Sequence, residues 1–248
     1  HTASLLHDDV IDEAFIRRGK TSANNLWGNA ASVLVGDFLY SQALKLLSEI
    51  GDLAIIQLMS KTTHIMSEGE VFQLMKCGDT SLTEEEYLSI VEKKTALLIS
   101  AACASGAILG GASQDQITAL EQYGYKIGMA FQITDDTLDY IAREEDFGKS
   151  IGKDLEEGKM TLPLIYTLTQ SSEAERQRIK NIIRQKAFSP ETTKGIFALI
   201  QKSGGIDYSL NQAKCFIREA KEGLDVFAPS AGKDHLLVVA DYILSRKI

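Results

Sequence analysis

The sequence predicts an all-α fold, a bundle of long helices. Three observations carry that expectation. Residues 1–162 contain no proline, and only Pro163, Pro190 and Pro229 follow. A proline inside a helix removes a hydrogen bond and clashes with the turn before it, so this stretch can hold long uninterrupted helices. The composition is rich in Ala, Leu, Ile, Glu, Lys and Gln, most of them good helix formers. Apolar residues recur at helical spacing, as in Val33, Leu34, Phe38, Leu39, Leu44 and Leu47 or in Leu88, Val91, Thr95, Leu98 and Ala102, while strand-like alternation is scarce.

The breaks between helices are legible in chain order. Gly28-Asn29 ends one segment and Gly51-Asp52 another, and Gly78-Asp79-Thr80-Ser81 makes a turn. Thr83 with Glu86 three residues on has the spacing of a capping box, in which each satisfies a backbone N–H of the other's turn. Gly110-Gly111-Ala112-Ser113 breaks the chain before a helix over 115–138. A loop rich in glycine and charge spans 147–159, and Ser203-Gly204-Gly205 separates two later helices. No solenoid repeat, low-complexity tract or flexible linker is visible, so residues 1–248 read as a single domain. The chain opens at His1 inside an apolar pattern (Ala3, Leu5, Leu6), which implies that a piece upstream is absent.

Bulk properties exclude some functions. A net charge of −8 argues against nucleic acid or an anionic membrane as the main partner. Cys77, Cys103 and Cys215 stand far apart, as buried free thiols of a reducing compartment do. None pairs with one of the four histidines at zinc-ligand spacing. No apolar run reaches the length of a membrane span and no signal peptide is visible, so the expected location is cytoplasmic.

Two acidic clusters stand out. Asp8-Asp9-Val10-Ile11-Asp12 closes an apolar run, and Asp135-Asp136-Thr137-Leu138-Asp139 repeats the pattern after Ile127–Ile133. On a helix the first and last aspartate of each lie one turn apart on one face, where like charges repel unless a cation intervenes. Carboxylates are hard oxygen ligands suited to Mg²⁺, which usually takes one or two of them plus substrate phosphates. Two such clusters can hold a diphosphate between them, whereas one alone reads as a solvated helix face. Basic residues follow each motif: Arg17-Arg18 after the first, then Lys149, Lys153 and Lys159 beside Asp154 after the second, with Lys93-Lys94-Thr95 between. Arg and Lys are the usual direct phosphate ligands.

The strings HDDVID, RRG, GDFLY, GEVFQL, KTA, FQITDDTLD and GKSIGKDLEEGKMTLPL together resemble the trans-isoprenyl (polyprenyl) diphosphate synthase family, most closely its bacterial octaprenyl members. The likeness runs over essentially the whole chain. It implies an isoprenoid-synthase-type bundle around a central cavity, with the N-terminal helices missing, because the family's earlier GGKRxRP segment is not here. It also implies a prenyltransferase with two to three Mg²⁺ per active site, usually homodimeric, touching membranes at most loosely through its product, which suits a quinone side chain. Carried over by position, Asp8, Asp12 and Asp135 would ligate Mg²⁺, with Asp9, Asp136, Asp139 and Asp154 beside the metals or one step behind. Arg17, Lys94, Lys149 and Lys159 would hold the allylic diphosphate, and Arg18 and His1 the isopentenyl diphosphate. Thr95 and Gln132 would present oxygens to the allylic cation. His7 and His64 read as structural.

Product length is expected to depend on what lies beneath the first motif. Ala3 and Ser4, one turn before Asp8, are small where short-chain members carry a bulky aromatic. Leu47 and Met59 are the candidate plugs farther down, giving a product of about C40, with a shorter geranylgeranyl product as the alternative. Other readings are a class I terpene cyclase, whose N-x-x-x-S/T-x-x-x-E motif is not found, a non-catalytic subunit of a heteromeric synthase, and an acidic helical scaffold.

Overall fold

In the computed structural model, which describes residues 1–141 and 152–246, the chain is almost wholly helical. The order is α1 (Thr2–Ile11), β1 (Ile16–Arg17), β2 (Lys20–Thr21), α2 (Ala23–Trp27), α3 (Asn29–Ile50), α4 (Leu53–Lys76) and α5 (Glu84–Val91). A π-helical turn (Glu92–Ala96) leads into α6 (Leu97–Leu109) and α7 (Gln114–Leu138). Then come α8 (Lys153–Glu156), α9 (Leu162–Gln170), α10 (Glu173–Arg184), α11 (Pro190–Ser203), α12 (Gly205–Gly223), a 3₁₀ turn (Leu224–Val226) and α13 (Ala231–Ser245). The all-α expectation holds. Among the described residues, no helix is long and apolar enough to cross a membrane.

Two compact units emerge, His1–Gln57 and Leu58–Ile248, with the boundary inside α4. In the first, α1 packs along α3. Gly36 makes that approach possible: a Cβ there would stand 2.3 Å from His7 Nε2. The imidazole Nε2 instead lies 3.1 Å from the Val33 carbonyl and 3.3 Å from Asp37 Oδ1. The carbonyls left over where α1 ends are taken up by side chains from α2 and its approach. Asn24 donates to Asp9 O at 3.0 Å, and Asn25 donates to Ala14 O at 2.7 Å. Between them lies a feature the sequence reading did not contain, a two-stranded ribbon pairing Ile16 with Thr21 and Arg17 with Lys20. Arg18 and Gly19 form its tip, with φ of 51° and 74°, the left-handed pair that a tight hairpin turn requires.

In the second unit α7 is the axis, packed against α6 on one side and α12 on another. Met129 and Ile133 of α7 are buried with Leu164 of α9, Ile179 of α10, Ile196 and Ile200 of α11 and Leu224. Each such side chain contributes about 1.5–3 kcal/mol by burial. Gly128 lets α7 meet the π turn backbone to backbone, since a Cβ there would stand 2.6 Å from Ala96 Cα. Capping boxes start four helices: Thr83 with Glu86 for α5, Ser113 with Gln116 for α7, Ser172 with Glu175 for α10, and Ser189 with Thr192 for α11.

Candidate active site

Both acidic motifs sit at the same place on their helices. Asp8 and Asp9 occupy the last turn of α1 and Asp12 is its C-cap; Asp135 and Asp136 occupy the last turn of α7 and Asp139 is its C-cap. A helix C-terminus carries partial negative charge, so carboxylates there cost about 0.3–1 kcal/mol each instead of stabilising. A sequence that does this twice is providing for a cation.

In the first unit, Asp9 is buried, and its Oδ1 accepts from Arg17 Nε at 2.7 Å and Nη2 at 2.6 Å. Arg17, expected on a diphosphate, is thus held over the motif by the hairpin. Arg18 is exposed at the hairpin tip. His1 is the N-cap of α1, and its carbonyl accepts from Ser4 Oγ at 2.8 Å. Ala3 is buried, and Leu47 on α3 is half-buried.

In the second unit a cleft of about 130 Å³ is lined by Gln73, Lys76, Tyr87, Lys94, Thr95, Gln132, Asp136, Asp154 and Lys159 among others. That volume suits a polar head group and not a polyprenyl chain. Lys94 and Thr95 arrive on the π turn, not on the regular helix expected of them; such turns are rare and gather at functional sites. Lys94 Nζ pairs with Glu70 Oε2 at 2.8 Å and donates to Gln73 Oε1, so the GEVFQL segment of α4 fixes the lysine. Thr95 Oγ1 donates to Gln132 Oε1 at 2.9 Å, Gln132 Nε2 donates to Asp136 Oδ1 at 2.7 Å, and the Tyr87 hydroxyl donates to Asp136 Oδ2 at 2.6 Å.

Asp139, the last aspartate of the second motif, is engaged differently. Its two oxygens accept from the Gly152 and Asp154 backbone N–H at 3.1 and 3.3 Å, receiving the start of α8. Lys159 lies 2.6 Å from Glu157 and 3.9 Å from Asp154, while Lys153 pairs with Glu157 at 3.0 Å. Asp135 pairs with Arg246, just past α13, at 2.8 Å. Met59 is half-buried on α4. Lys149 lies outside the described residues.

Burial pushes the Asp136 carboxyl up, against the Tyr87 and Gln132 hydrogen bonds that pull it down. Burial also raises Asp154, and the neighbouring Asp136 and Asp139 add to it. Asp139 is raised by burial too, against its backbone donors. Burial, and then the charge on Asp136, raises the Tyr87 phenol well above its ordinary value, so it remains a donor. Among the described residues, no three His, Cys, Asp or Glu side chains converge as a preformed metal cage. The carboxylates at the ends of α1 and α7 are hard oxygen donors of the kind Mg²⁺ takes one or two at a time, with water and phosphate completing the shell.

Sequence reasoning missed Tyr87, Glu70 and Arg246. Glu70 and Gln73 were visible as one face of α4, three residues apart. Arg246, 111 residues beyond Asp135, gave no local signal.

The family model for polyprenyl synthetase matches residues 1–200. The chain is 40% identical to the octaprenyl diphosphate synthase of Haemophilus influenzae over 246 residues, 99% of this chain and 74% of that protein. A decaprenyl diphosphate synthase structure from Rhodobacter capsulatus has TM-score 0.95 at 38% identity, covering 100% of this chain and 76% of that one. A polyprenyl synthase from Caulobacter crescentus CB15, complexed with calcium and isoprenyl diphosphate, has TM-score 0.93 at 38% identity, with the same coverage. This chain belongs to the polyprenyl synthetase family and is a trans-prenyl diphosphate synthase, a prenyltransferase.

Proposed function

We propose that the chain condenses isopentenyl diphosphate with farnesyl or geranylgeranyl diphosphate to an octaprenyl-length product, about C40, by ionisation, condensation and elimination. The observation that carries it is the second unit's cleft. There Lys94 and Lys159, the oxygens of Thr95 and Gln132, the buried carboxylate of Asp136 and the half-buried one of Asp154 line one polar space.

Asp8, Asp12 and Asp135, supported by Asp9, Asp136, Asp139 and Asp154, would hold Mg²⁺, two to three ions, for the allylic diphosphate. Bound there, Mg²⁺ would supply Lewis-acid stabilisation of the diphosphate. Lys94, Lys149, Lys159 and Arg17 bind its oxygens as the C–O bond breaks, and Arg18 and His1 hold isopentenyl diphosphate. Thr95 and Gln132 turn oxygen toward the allylic cation in a water-poor setting. The isopentenyl double bond then forms the new C–C bond, and a proton leaves to the departed diphosphate. Small Ala3 and Ser4 leave room for the growing chain, with Leu47 and Met59 setting its end. Relatives that make octaprenyl and decaprenyl products support a long chain.

The two units work as one catalytic domain, in the cytoplasm, as a homodimer. The exposed Leu34, Val35, Phe38, Leu46 and Ile50 of α3 support the dimer, which light scattering after gel filtration reads directly. The deciding experiment incubates full-length enzyme with farnesyl diphosphate, isopentenyl diphosphate and Mg²⁺, then chromatographs the product. A Mg²⁺-dependent octaprenyl product is expected; no Mg²⁺-dependent diphosphate release would overturn the reading.

A further inference from the structure

Each oxygen of the Asp136 carboxylate already has a protein donor, Tyr87 on Oδ2 and Gln132 on Oδ1. An ionised carboxylate only accepts hydrogen bonds, so Gln132 must turn its amide nitrogen to Asp136 and its carbonyl oxygen the other way. That oxygen takes the single proton of the Thr95 hydroxyl, which leaves Thr95 with lone pairs and no hydrogen to offer. The polarity of the whole chain is therefore set at Asp136, and Tyr87, only 3% exposed, holds the end of Asp136 that Gln132 does not.

We propose that Tyr87 is a positioning residue for the condensation: its hydroxyl fixes the Asp136 carboxylate and so fixes the direction in which Gln132 and Thr95 present oxygen to the allylic cation. The inference rests on the synthase reading above and gives a role to a further residue of the cleft wall. Without the hydroxyl, Asp136 keeps one oxygen bare in a buried site and is free to swing toward Lys159. Gln132 then loses its fixed acceptor, and its amide can reverse. A reversed amide aims N–H at positive charge, which is worse than no dipole at all.

The test is Tyr87→Phe, which keeps the ring in the core and removes only the oxygen. A dipole aimed at developing charge is worth about 10²–10³ in kcat when deleted outright, so its misorientation is expected to lower kcat about tenfold or more. KM for both substrates and the Mg²⁺ half-saturation should change by less than kcat does, since Asp136 has a supporting and not a primary place among the metal carboxylates. A purely structural tyrosine would shift Tm without separating kcat from KM. In a Gln132→Ala background the Tyr87→Phe effect should shrink to about twofold or less, since the residue it acts through is gone. Wild-type kcat in Tyr87→Phe, or an undiminished loss in the Gln132→Ala background, overturns the assignment. So does a tenfold rise in Mg²⁺ half-saturation with kcat intact. If circular dichroism shows Tyr87→Phe unfolded, Asp136→Asn carries the test. An amide both donates and accepts and cannot set the polarity, so kcat should fall, and the fall should shrink to about twofold or less in the Gln132→Ala background; wild-type kcat in Asp136→Asn, or an undiminished loss in that background, overturns the proposal. A wild-type enzyme with no Mg²⁺-dependent product would sink the synthase reading itself, whereas active wild type with unaffected Tyr87→Phe sinks only the role of Tyr87.

Discussion

Arg246 Nη2 lies 2.8 Å from Asp135 Oδ1, with the guanidinium 4.4 Å above the Phe131 ring. The arginine meets Asp135 on an oxygen that a metal would use, so a cation arriving at the second motif must compete with it. A half-exposed pair of this kind is worth about 0.2–1 kcal/mol. Arg246→Ala is therefore expected to lower the Mg²⁺ concentration for half-maximal activity by up to about fivefold. A Mg²⁺ titration of diphosphate release reads this, and an unchanged requirement would mean that the pair opens at no cost.

Removing a motif carboxylate should separate activity from stability. Asp8→Ala and Asp135→Ala are expected to lose turnover by orders of magnitude while far-ultraviolet circular dichroism stays helical. Each variant also removes a negative charge from a helix C-terminus, a gain of about 0.3–1 kcal/mol for the metal-free protein, which in Asp135→Ala is offset by loss of the Arg246 pair, about 0.2–1 kcal/mol. Near-normal turnover in either variant would rule out its carboxylate as a metal ligand.

Lys94→Ala tests the division of labour between the two substrates. Losing a charge-assisted phosphate contact costs about 1.5–3 kcal/mol, so affinity for the allylic diphosphate should fall tenfold or more. Isopentenyl diphosphate binding, measured separately with a non-ionisable allylic analogue, should change about twofold at most. Equal weakening of both would count against the assignment.

Product length should follow the residues near the first motif. Ala3→Tyr is expected to shorten the product toward C15–C20, and Leu47→Ala or Met59→Ala to lengthen it. Because Ala3 is buried, the tyrosine also overpacks by about 1–3 kcal/mol, so a folded, active variant must be confirmed before products are compared. An active Ala3→Tyr that still makes the full-length product would remove the physical basis of the long-chain reading.

One acid limb of stability is assignable. Asp79 accepts from the Ser81 hydroxyl, from Ser81 N at 2.9 Å and from Lys76 Nζ at 3.1 Å, with Ser81 as the larger cause holding its carboxyl down at about 2. The fold favours the ionised form, so the contribution is present above the ordinary value near 3.8 and lost as pH falls from there through about 2. The urea-midpoint difference between wild type and Asp79→Asn should be full at neutral pH and shrink below about pH 4. A constant difference down to pH 3 would refute it.

Most of the helix boundaries were legible because they rest on local chemistry. Gly28, Gly51, Thr83, Gly110-Gly111 and Gly204 each punctuate the chain where a helix starts or stops. The hairpin was not legible, since two residues per strand are too few to alternate, and its Arg-Arg-Gly was read only for charge. The aspartates, Lys94, Thr95 and Gln132 were named in advance, but what holds them was not. Arg246 reaches Asp135 from the far end of the chain, and Glu70 reaches Lys94 from another helix. Such partners are set by packing, which leaves no trace in spacing.

The π turn before α6 acts as a phase corrector. Tyr87 and Thr95 are eight positions apart (95 − 87), and on an unbroken α-helix eight steps of about 100° overshoot two full rotations by about 80°. Their targets, Asp136 and Gln132, stand four apart on α7, nearly in line. One surplus residue absorbed by the wider turn makes eight positions count as seven, about 20° short of two rotations. Both side chains then point the same way. Regularising the turn with all five residues of Glu92–Ala96 kept would restore the overshoot of about 80° and swing one of the two off its mark, whereas deleting Glu92 or Lys93 as well would keep the phase. The irregularity works as a one-residue clock adjustment, and a helix made straighter here would tell the wrong time.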